Sequence, residues 1–267
     1  MIAPRFIRRV GRALLLLMAL GPAGAWAADA VDTIARVKGS VVGVGTFERT
    51  RAPPFQFRGT GFAVGDGSVV VTNAHVLPAT VDPSRGETLA ILVASPDGAA
   101  TTVREVTRLA IDYGTDLALV KLIGAPLPAL KLHDSTRVRE GQEVLMTGYP
   151  IGAVLGPVAA THRGMISAIT PIAIPQGRAG DLDPAVIRRL ASGPFSVFQL
   201  DATAYPGSSG SPIYDPATGE VFGIVNMVFV KGMKETALSQ PSGITYAIPS
   251  RHLQDLLTSA ASQQAAK

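Results

Sequence analysis

The chain has 267 residues and no cysteine, which excludes disulfides and thiolate metal sites. It carries 24 Lys and Arg residues and 20 Asp and Glu residues, but four of the arginines lie in residues 1–27, which contain no acid. The rest of the chain therefore has as many acidic as basic residues, so its charge gives no support for nucleic acid or an anionic membrane surface as a partner.

Residues 1–27 have the layout of a secretory signal peptide. The four arginines precede an apolar run at 13–20, and Ala25, Trp26 and Ala27 provide the small-residue pattern of a cleavage site. The apolar run is shorter than the roughly 20 residues that span a bilayer, although an uncleaved anchor is the alternative. We therefore expect an exported protein, periplasmic or secreted, that is cleaved near Ala27 and not stably inserted in a membrane.

The remaining chain consists mostly of short apolar, β-branched runs separated by turn signals. A connection rich in proline and charge, at residues 124–141, divides these runs into two sets. The first set predicts strands at 41–47, on both sides of an Asp-Gly turn within 61–71, and at 89–93, 101–106 and 117–122. The second set predicts strands at 143–147, 164–169, 195–200, 221–230 and 244–248. This spacing is typical of β-barrels or a sandwich.

Two helices are expected. Residues 183–191 have a weak helical pattern inside an apparent insertion, 171–193, to which no role is assigned. The second helix follows Ser250, a good N-cap residue, and places Leu253, Leu256 and Leu257 on one face. Residues 259–267 are rich in Ala, Gln and Ser and are expected to form a flexible tail.

Small residues surround Ser209 in the sequence Gly-Ser-Ser-Gly at 207–210. A serine hydroxyl becomes a useful nucleophile only when a base takes its proton, and the resulting oxyanion needs donors already in place. Glycine allows the tight turn that aims backbone N–H groups inward, which makes the N–H groups of Gly207 and Ser209 the candidate donors. For this motif alone, a surface turn is an equally good explanation.

Histidine is the natural base because its pKa lies near neutrality. His75 ends an apolar hairpin strand, and His162 is its only serious rival, since His133 and His252 lie in the connection and the last helix. Asp116 opens the apolar strand that follows it and could orient an imidazole and stabilise its charged form. A solvated acid at a strand end is the alternative.

In this chain order, the three segments resemble the trypsin-like serine proteases, and most closely the bacterial HtrA (Deg) branch. The resemblance covers about residues 31–257. It rests on Gly-Thr-Gly-Phe at 59–62, Thr-Asn-Ala-His at 72–75, Asp-Leu-Ala-Leu-Val-Lys at 116–121, Asp-Ala-x-x-x-Pro-Gly-x-Ser-Gly-x-Pro at 201–212, and Gly-Ile-x-Tyr-Ala-Ile-Pro-Ser at 243–250. Ser208 and Ser211 depart from the branch, which usually has Asn and Gly at these positions.

The resemblance implies an all-β fold of two antiparallel six-stranded barrels with a short C-terminal helix. The protease domain is expected at 28–258, with the first barrel at about 31–130 and the second at about 140–250. No PDZ domain is expected in the printed sequence. The family mechanism requires neither a metal nor a cofactor.

The implied function is that of an exported serine endopeptidase acting on polypeptides, including unfolded proteins, through an acyl-enzyme. Ser209 is the expected nucleophile, His75 the base and Asp116 the acid that orients it. Trimers occur in the family, but no residue here demands an oligomer. The alternatives are an idle trypsin-fold peptide-binding protein and another acyl hydrolase. The α/β-hydrolases differ in triad order and have a helix after the nucleophile, where a strand is expected here.

The specificity pocket can also be predicted by resemblance. Thr203, six residues before the nucleophile, is expected at the pocket base, and Asn226, Met227 and Val228 are expected to face a bound substrate strand. Because none of these side chains is charged, cleavage after Arg or Lys is not expected. Small or medium aliphatic side chains fit this lining better.

Overall fold

The computed structural model describes residues 25–95, 100–150, 158–171, 195–226 and 243–265. Within these ranges the chain forms two α-helices and twelve β-strands. The helices are α1 (Ala25–Lys38) and α2 (Ser250–Ala265). The first six strands are β1 (Val41–Phe47), β2 (Phe55–Val64), β3 (Val69–Asn73), β4 (Thr88–Ala94), β5 (Thr101–Asp112) and β6 (Leu117–Leu122). The other six are β7 (Glu143–Gly148), β8 (Ala160–Pro171), β9 (Ser196–Asp201), β10 (Pro212–Tyr214), β11 (Val221–Val225) and β12 (Ile244–Pro249).

The strands form two closed antiparallel barrels, which confirms the expected fold. The first has the strand order β1-β2-β3-β6-β5-β4, and pairing of β1 with β4 closes it. The second has the order β10-β11-β12-β9-β8-β7, and pairing of β10 with β7 closes it. Closure leaves no long sheet edge exposed, so neither barrel offers a template for unwanted strand pairing.

The two barrels share one hydrophobic core. A single cluster of buried side chains contains Phe62 and Leu119 from the first barrel and Tyr214 and Ile224 from the second. Val37 of α1 and both Leu253 and Ala260 of α2 belong to the same cluster. Each barrel also has an interior cluster of its own. The shared cluster fixes the barrels against each other and thereby fixes the cleft between them.

The C-terminal helix differs from the prediction in two respects. It runs through Ala265, so residues 259–265 are helical and not a tail, and Ala260 is buried in the shared core. The hydroxyl of Ser250 donates to the His133 carbonyl oxygen at 2.7 Å instead of capping its own helix. Ser135 takes over the cap, because its hydroxyl accepts from the Arg251 N–H at 3.0 Å. The connection between the barrels thus supplies the cap.

Three further points concern the helices. Helix α1 was not expected; Thr33 and Arg36 tie it to the carbonyl oxygens of Ala217 and Thr218. The helix expected at 183–191 lies outside the described residues. In the ranges that the structure describes, neither helix has the length and apolar character needed to cross a membrane.

Candidate active site

His75 and Asp116 lie side by side at one end of the first barrel. His75 occupies the 3₁₀ turn Ala74–Val76, directly after β3, and Asp116 immediately precedes the neighbouring strand β6. The Asp116 carbonyl oxygen accepts hydrogen bonds from the Ala74 N–H at 3.0 Å and from Asn73 Nδ2 at 3.1 Å. These bonds fix the backbone of Asp116 against the segment that carries His75.

Asp116 has an unusual backbone conformation, with φ of +60°. Asp and Asn tolerate this left-handed region better than most residues because their short polar side chains can hydrogen-bond locally. The preceding loop is shaped by the Asp112 carboxylate, which accepts from the Gly114 N–H at 2.8 Å and the Thr115 hydroxyl at 2.6 Å. After this turn, the Asp116 carboxylate lies in a buried position, and only 4% of the residue is exposed.

Ser209, His75 and Asp116 form a continuous chain of hydrogen bonds. His75 Nε2 lies 3.0 Å from Ser209 Oγ, and His75 Nδ1 lies 2.6 Å from Asp116 Oδ2. The other carboxylate oxygen, Asp116 Oδ1, accepts from the His75 backbone N–H at 2.9 Å. Asp116 is therefore hydrogen-bonded to both the ring and the backbone of His75. This leaves Nε2 directed at the serine hydroxyl, which comes from the loop between β9 and β10 of the second barrel.

Asn226 also reaches this chain of hydrogen bonds. Its side chain is fully buried, and Nδ2 donates to Asp116 Oδ2 at 2.7 Å. The prediction that Asn226 faces a substrate is therefore wrong for its side chain, which points at the carboxylate. Sequence analysis missed this contact because 110 residues separate the partners. A buried amide at the end of a core strand was the only available signal that it needed a partner.

The turn before Ser209 is held by reciprocal hydrogen bonds. The Ser208 N–H donates to the Tyr205 carbonyl oxygen at 2.9 Å, and the Tyr205 N–H donates to Ser208 Oγ at 3.4 Å. Gly207 lies inside this turn with φ of +98°, a conformation that strains residues with a side chain. In the described part of the chain, the N–H groups of Gly207 and Ser209 form no hydrogen bond. Both donors are thus available to a bound molecule.

Thr60 of β2 connects this turn to the rest of the cleft. Its hydroxyl donates to the Gly207 carbonyl oxygen at 2.8 Å and accepts from the Tyr149 N–H at 3.0 Å. Its backbone N–H donates to the Ser209 carbonyl oxygen at 2.8 Å. Thr60 therefore holds the carbonyl groups of both Gly207 and Ser209, which fixes the orientation of the peptide groups around the nucleophile.

Tyr149 makes a second link between the barrels. Its hydroxyl donates to the Val41 carbonyl oxygen at 3.4 Å. Burial raises the pKa of the Tyr149 hydroxyl to about 12, so the group remains a protonated donor at neutral pH. The hydrogen bonds that Thr60 and Tyr149 make across the cleft therefore join uncharged groups.

Ser211, the second departure from the family pattern, fits a space left by a glycine. A Cβ added to Gly148 would overlap Ser211 Oγ, so the serine side chain occupies the volume that a side chain at position 148 would need. Ser211 Oγ is buried and has no hydrogen-bond partner among the described residues. The hydroxyl contributes packing here.

The other predicted site residues either do not contact Ser209 or lie outside the described residues. Thr203 is half-buried on the segment after β9, whereas Met227 and Val228 lie outside the described residues. His162 does not contact Ser209; its ring lies 6.1 Å from the ring of Tyr205. Of the four histidines, the structure thus brings only His75 to the serine.

Two antiparallel barrels with a Ser–His–Asp hydrogen-bond chain between them define the trypsin-fold class. The trypsin-like peptidase domain model matches residues 59–224, and the chain belongs to this family. The printed sequence is 31% identical over 194 residues to a protein of Pseudomonas putida named "Probable periplasmic serine endoprotease DegP-like". It is 32% identical over 201 residues to a protein of the same name from Brucella suis.

The alignments cover 73% and 72% of this chain but only 33% and 31% of these two relatives. The chain therefore spans about a third of the length of the curated relatives that it matches. Among solved structures, Deg5 aligns with a TM-score of 0.61 at 21% identity, over 88% of this chain and 95% of that one. The HtrA-type protease AlgW with a decapeptide aligns with a TM-score of 0.60 at 23% identity, over 87% and 67% of the two chains. These similarities support the two-barrel fold.

Proposed function

We propose that this chain is an exported serine endopeptidase that hydrolyses peptide bonds of proteins. The observation that carries the proposal is the unbroken hydrogen-bond chain from Ser209 Oγ through His75 to the buried Asp116 carboxylate. The family assignment and the DegP-like relatives support polypeptides as the substrate class.

The proposed reaction is acyl transfer to Ser209. With the proton of neutral His75 on Nδ1, where Asp116 accepts it, Nε2 is free to take the Ser209 proton as Oγ attacks the peptide carbonyl carbon. The C–N bond then breaks, and His75 returns the proton to the leaving amine. Water repeats the sequence on the acyl-enzyme and releases the second product. Asp116 stabilises the imidazolium in both halves, and Asn226 stabilises the Asp116 carboxylate.

The proposed oxyanion donors are the N–H groups of Gly207 and Ser209. The two N–H groups have no hydrogen-bond partner among the described residues, and this and the positive φ of Gly207 support the assignment. One donor of this kind contributes about 3–4 kcal/mol to transition-state stability. The hydrogen bonds of Ser208 and Thr60 hold the turn that carries both donors.

The preferred side chain at the cleaved position is proposed to be small or medium and aliphatic. The support is the uncharged Thr203 at the expected pocket base, together with the uncharged side chains predicted beside it, Met227 and Val228. Mapping the cleavage sites in denatured casein tests this preference. A majority of cuts after Arg, Lys or Glu would contradict it.

Export with cleavage near Ala27 is proposed from the basic and apolar leader and from the periplasmic names of the relatives. The full chain, expressed in a bacterial host, should accumulate in the periplasm with Ala28 as its first residue. N-terminal sequencing of the purified protein checks this. A product that retains residues 1–27 in the membrane fraction would support the uncleaved anchor instead.

The test of the proposed activity is hydrolysis of unfolded casein by the protein purified from the periplasm. The Ser209→Ala variant is the matched control, because it removes only the hydroxyl. We expect cleavage by the natural chain and none above background by the variant.

Labelling by a fluorophosphonate probe separates the proposal from the idle peptide-binding alternative. The probe reacts with a serine whose hydroxyl is activated by a base, so labelling should occur in the natural chain and be absent in Ser209→Ala. Absence of both cleavage and labelling in the folded natural chain would overturn the proposed function.

A further inference from the structure

Arg58 lies at a break in the β1–β2 pairing beside the cleft. Val44 pairs with Gly59 and Gly45 pairs with Phe57, so Arg58 is the extra residue of a β-bulge. Bulges occur often next to active sites, where they redirect a side chain that regular pairing would aim elsewhere. Here the redirected side chain is an exposed arginine.

One edge of the Arg58 guanidinium is anchored next to the catalytic base. Nε donates to the Val76 carbonyl oxygen at 2.7 Å, and Val76 directly follows His75. A guanidinium has five N–H donors, so four remain on the two terminal nitrogens. In the described ranges these four have no hydrogen-bond or ion-pair partner. The charge is thus held in place on one side and unpaired on the other.

The same segment contacts the nucleophile. A Cβ on Gly59 would lie 3.1 Å from the Ser209 carbonyl oxygen, and the next residue, Thr60, donates its N–H to that oxygen. Arg58 is therefore two residues before Thr60, which contacts Ser209. It is also hydrogen-bonded to Val76, the residue after His75. Its charge lies at the edge of the proposed reaction centre.

The position relative to His75 indicates which half of the substrate Arg58 meets. His75 must pass its proton to the leaving amine, so the half of the substrate that leaves first lies on the His75 side of Ser209. An extended peptide advances about 3.3–3.6 Å per residue, so its first three residues after the cleaved bond cover about 10 Å. The anchored guanidinium is on this side of the cleft.

We propose that Arg58 is a specificity residue that favours an Asp or Glu side chain within the first three residues after the cleaved bond. The two terminal nitrogens form a planar fork that matches a carboxylate in bidentate geometry. Because Nε is already anchored, little side-chain freedom is lost when the carboxylate binds. The inference rests on the proposed peptidase function and adds a feature of its substrate.

The test compares the cleavage sites of four proteins in a denatured proteome digest, identified by mass spectrometry. These are the natural chain, Arg58→Gln, Arg58→Glu and the control Arg139→Gln, which removes an exposed arginine of the connection between the barrels. The natural chain and the control should show enrichment of Asp and Glu at one of the three positions. Arg58→Gln should lose the enrichment, and Arg58→Glu should replace it with Lys and Arg.

Quenched peptides that differ only by Glu or Gln at the enriched position give the magnitude. We expect kcat/KM to be about two- to five-fold higher for the Glu peptide, as for an exposed ion pair, and the ratio to approach one in 1 M salt. Arg58→Lys keeps the charge without the fork and should retain part of the preference.

The outcomes separate this inference from the proposed function. A folded natural chain that cleaves nothing and is not labelled at Ser209 overturns both. A natural chain that cleaves without an acidic preference, or an Arg58→Gln variant that keeps the preference, overturns the role of Arg58 alone. Thermal unfolding of each variant shows whether it is folded as stably as the natural chain.

Discussion

The hydroxyl of Thr60 accepts a hydrogen bond from the Tyr149 N–H and donates one to the Gly207 carbonyl oxygen. A single side chain of the first barrel therefore holds both the end of β7 and the turn that carries the proposed oxyanion donor. Both partners are backbone groups in a buried region, where a lost hydrogen bond leaves a desolvated polar group without compensation.

Thr60→Val is expected to reduce catalysis by disordering this turn. Valine has the shape of threonine but cannot form either hydrogen bond. We expect kcat to fall about ten-fold with little change in KM, and the free energy of unfolding to fall by about 1–3 kcal/mol. Peptide hydrolysis and urea unfolding measure the two effects. Thr60→Ser, which keeps the hydroxyl, should remain near the natural values; equal losses in both variants would contradict this explanation.

Asn226→Leu tests the hydrogen bond that Asn226 donates to the Asp116 carboxylate. Leucine has a similar volume but leaves Asp116 Oδ2 without the amide donor. A hydrogen bond to a charged group contributes about 1.5–3 kcal/mol, so kcat should fall by at least about ten-fold. Fluorophosphonate labelling should slow in parallel, because both reactions need the His75 orientation that Asp116 provides. Unchanged labelling would show that Asp116 does not depend on Asn226.

At the scale of elements, most strands could be predicted because the local sequence determines them. The apolar runs around the Asp66-Gly67 turn form the β2–β3 hairpin as expected. Helix α1 was missed because it begins inside the expected leader and is fixed by carbonyl oxygens of Ala217 and Thr218, far away in the sequence. The cap of α2 was missed because Ser135 reaches it from a distant part of the chain. The chain order of Ser209, His75 and Asp116 suggested the site, but their contacts depend on how the two barrels pack.

Helix α2 contains a residue that should make stability depend on pH. Burial, with a smaller contribution from Arg251, lowers the pKa of His252 below its ordinary value of 6.5, although Asp255 and Asp112 act in the opposite direction. The unfolded chain therefore binds a proton at His252 more tightly than the folded chain does. The stability due to neutral His252 is present above about pH 6.5 and is lost as the pH falls through the lowered value.

Urea unfolding of the natural chain and His252→Leu at pH 8 and pH 5 checks this effect. Both proteins should lose stability at pH 5 because other groups titrate, but the natural chain should lose more. The ring centroids of His252 and Phe195 are 4.7 Å apart, and leucine should retain an apolar contact there. An equal loss in the two proteins would contradict the assignment.

At the scale of the whole molecule, the shared core makes the barrels interdependent. Leu253 of α2 is fully buried in the cluster that joins residues of both barrels, while Leu257 packs only at its margin. A core that crosses the interface favours a single cooperative unfolding transition. The cleft between the barrels then persists as long as the molecule is folded.

Leu253→Ala should lower the free energy of unfolding by about 2–5 kcal/mol, the usual cost of a cavity at a fully buried leucine. Leu257→Ala should cost clearly less. Unfolding followed by far-UV circular dichroism and by a tyrosine signal should give one coincident transition in each variant. Two separated transitions would show that the barrels unfold independently.

The contact between Ser211 and Gly148 makes their substitutions interdependent in evolution. With Ser211 present, Gly148→Ala places a methyl group on top of Ser211 Oγ, so the serine side chain must move to another rotamer. Ser211→Gly first opens the space, after which Gly148→Ala requires only a small adjustment of Thr60 Oγ1, 3.1 Å from the new methyl carbon. Packing at this contact therefore favours lineages in which the side chain at position 211 is lost before one is gained at position 148.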